Sequence, residues 1–171
     1  MDILRRYWLM ASEKGETYLW YFPDGRASTM ETSTSPEATP TDGWGSSAML
    51  WALIEGLAGV VDRGRAFDDV LLAPRWIAAG VDDAEVSVGY RSSGRGIRYQ
   101  FASTAQKVRL KVHAPATRLQ VHVLLPRGSS TRSVERDGIP VAFAESCIRD
   151  SRHVDFDAHA DCEMEFQINL R

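Results

Sequence analysis

Apolar residues change their spacing near Pro74. Before it they recur every three or four positions; after it they mostly alternate with polar ones. In residues 2–14, Ile3, Leu4, Tyr7, Trp8 and Met10 fall on or near one helical face, with Asp2 as N-cap and Gly15 as stop. A helix this short needs a neighbour to cover its aromatic face. Residues 21–42, YFPDGRASTMETSTSPEATPTD, are rich in Pro, Gly, Ser and Thr and read as a loop long enough to be functional or disordered. Then GWGSSAMLWALIEGLAGVVDRG repeats Met49, Leu50, Leu53, Ile54, Leu57 and Val60 or Val61 at helical intervals, with Ser46 or Ser47 to cap. The small residues Ala48, Ala52, Gly56, Ala58 and Gly59 allow close approach of other helices. This helix is apolar on too many sides to stand alone in water.

From Ala84 the period is two. AEVSVGY and IRYQFAS flank a glycine-rich SSGRG turn and form a hairpin. KVRLKVHAP and TRLQVHVLLP are two further alternating runs; if they form a hairpin, His113 and His122 lie near each other. SVERDGIPVAF carries the tight-turn pair Asp137-Gly138. Between Val154 and Leu170 one phase persists, with Phe156, Met164, Phe166 and Ile168 among its apolar members. Six to eight short strands with one apolar face each predict an antiparallel sandwich. The fold class is therefore α+β: about two N-terminal helices over residues 1–73, with the long loop at 21–42, then a β-sandwich over 74–171.

Composition narrows the function. Twenty Lys and Arg against 23 Asp and Glu leave a formal charge of -3, with no basic stripe to hold nucleic acid. No apolar run approaches the roughly 20 residues of a membrane helix, and MDILRRYWLM lacks the apolar core and cleavage site of a signal peptide. The expected partners thus include neither nucleic acid nor membrane. Cys147 and Cys162 make no disulfide framework or CxxC pair and read as free thiols. Phosphate loops, dinucleotide fingerprints, GxSxG elbows and HExxH helices are missing, so no cofactor is expected.

Trp44, Leu53, Glu55, Gly56, Leu57 and Gly59, followed by Pro74, Arg75 and Trp76, resemble the end of a catalytic domain in the six-hairpin glycosidase superfamily. Those proteins have an (α/α)6 barrel, in several families followed by a C-terminal β domain. The resemblance implies the C-terminal part of a glycoside hydrolase-like protein acting on a carbohydrate, with inverting two-carboxylate chemistry when complete. The general acid would lie in the part of the barrel that this chain lacks. Glu31, with Glu37 second, occupies the place of the general base. The chain alone would not catalyse, and its apolar helix would be covered by the rest of a barrel or by a homo-oligomer. The alternative is a stand-alone carbohydrate-binding or protein-interaction sandwich.

Trp44, between two glycines at the mouth of the apolar helix, is a candidate platform for the C–H face of a sugar, and Trp20 is a lesser one. Glu55, in the apolar helix, reads as a carboxylate bonded to backbone rather than a proton donor. In HVDFDAHAD, the alternation places His153, Asp155, Asp157, His159 and Asp161 on one strand face. The same phase continues through Glu163 and Glu165, so this reads as a solvated face and no metal site is expected.

Overall fold

A computed structural model describes residues 2–18, 20–32, 41 and 43–171. The chain divides into two compact units, Met1–Leu53 and Ile54–Arg171.

The first unit opens with helix α1, Asp2–Lys14. It stops where expected: Gly15 takes φ +74° and donates its N–H to Ala11 O at 2.8 Å. Leu4, Tyr7 and Met10 are half-covered, but Ile3, Trp8 and Leu9 face water. The predicted apolar face is thus only partly matched by neighbours. A small hairpin follows, in which Phe22 N–H bonds Arg26 O at 2.8 Å and Ser28 N–H bonds Trp20 O at 3.1 Å. Helix α2 covers Trp44–Trp51. Its N-cap is Gly43, with no side-chain cap, and Ser46 lies inside the first turn with its hydroxyl on Gly43 O.

The expectation of one helix running to Val61 fails. After Trp51 the chain widens into a π-helical turn, Ala52–Leu57, and then becomes strand β1, Val60–Asp62. Gly59 makes the break. Its φ is +68°, and a Cβ there would collide with the Ala73 carbonyl. Gly59 O accepts Ala73 N–H at 2.7 Å, so this tight approach ties β1 to the segment after strand β2, Asp69–Leu72.

The second unit is a sandwich whose further strands are β3 (Asp83–Tyr90), β4 (Arg95–Ser103), β5 (Lys107–His113), β6 (Thr117–Leu124), β7 (Thr131–Arg136), β8 (Ile139–Pro140), β9 (Ala144–Ile148), β10 (Ser151–Ala160) and β11 (Glu163–Leu170). One sheet runs β1-β2-β6-β10-β9 and the other β3-β4-β5-β11-β7-β8. All pairs are antiparallel except β2 with β6. That pair is parallel because the chain leaves β2, builds β3 to β5 in the opposite sheet, and returns. β1 and β2 precede Pro74, so the sheets draw in residues upstream of the change in spacing.

The β3–β4 hairpin and the Asp137-Gly138 turn form as the alternation predicts, the latter with φ +51° and +79°. β5 and β6 do not form a hairpin. They lie in different sheets, which separates His113 from His122. The apolar phase from Val154 to Leu170 also crosses between sheets, at Asp161–Cys162, because both inner faces point at one core. That core includes Tyr99, Phe101, Leu110, Leu119, Val154, Phe166 and Ile168, each 1% exposed or less. Each such aliphatic or aromatic side chain contributes about 1.5–3 kcal/mol by leaving water.

Pro74, Arg75 and Trp76 lock the start of the sandwich. The Arg75 guanidinium donates to Glu55 O at 3.1 Å and Gly56 O at 2.8 Å, satisfying carbonyls that the π-helical turn leaves open. Trp76 Nε1 donates to the Tyr99 hydroxyl at 2.9 Å, which donates to Ala58 O. Burial pushes the Tyr99 phenol well up from its ordinary pKa, so it stays a donor.

Candidate functional site

Two groups of residues carry chemistry, one in each unit. In the first unit, Glu31 sits in a turn held by Thr29 and Thr32, whose N–H bonds Thr29 O at 3.2 Å. Its carboxylate is exposed, and the Thr29 hydroxyl, then its own backbone N–H, hold its pKa below the usual carboxylate range. Glu37 lies outside the described residues. Trp44 begins α2 and is 79% exposed. Trp20 is half-buried on the hairpin, its ring 4.4 Å from and edge-on to Phe22. Its indole N–H is enclosed without an acceptor among the described residues. The Arg26 guanidinium lies over the Phe22 ring, 4.9 Å from its centroid.

The second group lies on the outer face of the β1-β2-β6-β10-β9 sheet. Asp155 and His122 are direct cross-strand partners in the β10–β6 register. His122 Nδ1 bonds one carboxylate oxygen of Asp155, and the Ser146 hydroxyl on β9 donates to the other. Burial alone would raise the Asp155 pKa; the bonds from His122 and Ser146 overcome it and keep the carboxyl below its ordinary value. His153 lies flat against the His122 ring, with centroids 4.2 Å apart and planes at 12°. It is 6% exposed, and burial, then the neighbouring His122, lower its pKa. Both effects disfavour the charged form of the His153 ring.

The order of these groups decides what they can do. Serine bonds the aspartate, not the imidazole, so the three groups do not line up in the order of a Ser-His-Asp triad. The network instead fixes one imidazole. Asp155 holds Nδ1, His153 holds the ring face, and Nε2 remains for another molecule. It borders a cleft of about 520 Å3 lined by Arg63, Leu71, Arg75, Gln120, His122, Asp155 and Asp157, among others. The Arg63 guanidinium donates to Gln120 Oε1 and positions that amide.

Sequence reasoning placed Asp155 and Asp157 on one strand face but did not pair them with His122. That pairing depends on the β6–β10 register, 33 residues apart in the chain. Of the remaining residues in HVDFDAHAD, His159 bonds Asp161 at 3.1 Å on the surface. Among the described residues, no three His, Cys, Asp or Glu side chains form a metal-holding group. Cys147 and Cys162 are free and exposed. No described helix is long and apolar enough to cross a membrane.

Two helices, a break at Gly59 and two largely antiparallel sheets make this an α+β fold with a β-sandwich. The chain is similar in structure to the α-L-rhamnosidase of Streptomyces avermitilis, solved with L-rhamnose, at TM-score 0.55 and 15% identity over 94% of this chain and 14% of that one. It is similar also to the α-L-rhamnosidase of Dictyoglumus thermophilum, at TM-score 0.51 and 13% identity over 81% of this chain and 15% of that one. These neighbours are glycoside hydrolases, and this chain spans only a small part of their length. At such identities the likeness is one of fold. No protein-family model and no curated protein matches the sequence.

Proposed function

We propose that this chain is the closing segment of a glycoside hydrolase-like protein and is not catalytically competent by itself. One observation carries the reading. No described apolar side chain of the unit Met1–Leu53 is buried, whereas the core lies wholly in residues 57–170. Ile3, Trp8, Leu9, Trp44, Leu50 and Trp51 are all more than half exposed. Helices whose described apolar side chains lie outside any core lack the main force that stabilises helices in water. Their outward apolar positions suit burial against further helices of a barrel, as the resemblance to six-hairpin glycosidases implies. The fold likeness to segments of two α-L-rhamnosidases supports the same reading.

In the complete protein, Glu31 would act as general base, taking a proton from water as it attacks the anomeric carbon. A carboxylic acid from elsewhere in the barrel would protonate the leaving oxygen. Trp44, and secondarily Trp20, would stack on sugar rings at the barrel mouth. The test compares this chain alone with the same chain joined in frame to its upstream coding sequence, using p-nitrophenyl α-L-rhamnoside and α-D-glucoside. The chain alone is expected to be inactive, the joined protein active, and Glu31→Gln at least ~10³-fold slower in kcat, with roughly unchanged KM. Hydrolysis by the chain alone, or full activity of the Glu31→Gln protein, would overturn the proposal.

A further inference from the structure

The sandwich carries a second group of prepared side chains, apart from Glu31, Trp20 and Trp44. A half-buried ion pair such as His122–Asp155 loses to desolvation much of what its attraction returns. Stability alone thus gives little reason to hold one half-buried imidazole with an aspartate, a serine behind it and a second imidazole against its face. Such bracing is what a binding group needs, because a fixed ring loses less freedom when a ligand arrives.

The unfilled valences name the ligand class. His122 Nε2, the Gln120 amide N–H groups and the Asp157 carboxylate have no hydrogen-bond partner among the described residues. Together they offer both donors and acceptors within one cleft. Arg63 and Arg75 are balanced by Asp155 and Asp157, so the cleft is not an anion trap. Leu71, half-exposed on β2, adds an apolar floor beside them. A hydroxyl both donates and accepts, and a ring bearing several hydroxyls also presents C–H faces. The volume of about 520 Å3 falls within the range of small-molecule sites and holds one or two such rings.

We propose that the cleft between Arg63 and Arg75, with Gln120, His122 and Asp157 as its polar contacts and Leu71 as its floor, binds a neutral polyhydroxylated ligand of one or two sugar rings. This site lies wholly in Ile54–Arg171 and does not depend on the preceding reading of the helical unit.

The experiment is a titration of the full chain followed by amide NMR, with L-rhamnose, D-glucose and maltose as neutral probes and inorganic phosphate and D-glucuronate as anionic ones. The expected result is a saturable shift at millimolar concentration of one or more neutral sugars, centred on Leu71, Gln120, His122 and Asp157. Asp157→Ala and Gln120→Ala should each weaken it at least tenfold while leaving amides of the opposite sheet in place. Asp157 is exposed, so its replacement spares the fold. Three results would each overturn the proposal: no saturable shift at these amides with any neutral sugar, shifts there with phosphate or glucuronate alone, or unaltered affinity in both variants. Shifts confined to Trp20 and Trp44 would support the helical-unit reading and still reject this one.

Discussion

Replacing Tyr99 by Phe should unlock the start of the sandwich. The ring is 1% exposed and would stay in place, since Phe differs only by the oxygen. That oxygen serves two groups at once: it donates to Ala58 O and accepts from Trp76 Nε1 at 2.9 Å. Ala58 is 6% exposed, so its carbonyl would lose its donor with little access to water. An unsatisfied buried group costs about 1–3 kcal/mol, and the half-buried indole N–H adds a smaller penalty. The total is about 2–3 kcal/mol. With a urea dependence of about 1–2 kcal/mol/M for a unit of this size, the midpoint should fall by roughly 1.5 M at unchanged slope. Far-UV circular dichroism of the strand signal reads this directly. A midpoint within about 0.3 M of the parent would refute the claim that this hydroxyl joins β4 to the segment after the π-helical turn.

Further outcomes follow from the same contacts. Gly59→Ala would force a side chain into a left-handed backbone and into the Ala73 carbonyl, and should cost at least about 2 kcal/mol in the same urea assay. Arg75→Met should keep the side chain's apolar stem but strip donors from Glu55 O and Gly56 O, lowering stability by about 1–2 kcal/mol. For pH, the sign comes from His153, whose folded pKa lies below its unfolded value of about 6.5. The unfolded chain binds a proton there that the folded chain refuses, so stability is full above the unfolded pKa and falls as pH drops below it, by at most about 1.4 kcal/mol per unit. Denaturation midpoints between pH 7.5 and 5 should therefore slope downward in the parent and less in His153→Phe; equal slopes would reject the assignment. Asp155 acts in the same direction at lower pH, because its depressed pKa makes its contribution vanish as pH falls through the folded value.

Most of the sandwich was legible because period-two alternation states which side chains face inward, whatever the partner strand. The β3–β4 hairpin and the Asp137-Gly138 turn depend on neighbouring residues and were readable for that reason. What alternation does not encode is which sheet a strand joins. Hence β5 and β6 looked like a hairpin, and the unbroken phase through β10 and β11 concealed a change of sheet. The overlong helix had a related cause: Val60 and Val61 suit a helical stripe and a strand equally well. Gly59 decided for the strand through an approach to Ala73 14 residues later. Long-range register also hid the cleft, since His122 and Asp155 meet only when β6 lies beside β10. By contrast, the exposed apolar residues of α1 and α2 are legible in the sequence as a surplus of hydrophobic positions.

No described apolar side chain of the unit Met1–Leu53 is buried, and amide hydrogen exchange on the isolated chain tests most directly whether its helices lack the support of a core. Amides of α1 and α2 should exchange within seconds to minutes, while those of β4, β5, β6, β10 and β11 approach the protection set by global unfolding. In the complete protein proposed above, further barrel helices should slow α1 and α2 to the rate of the sandwich. Helices as protected as the strands in the isolated chain would contradict the account.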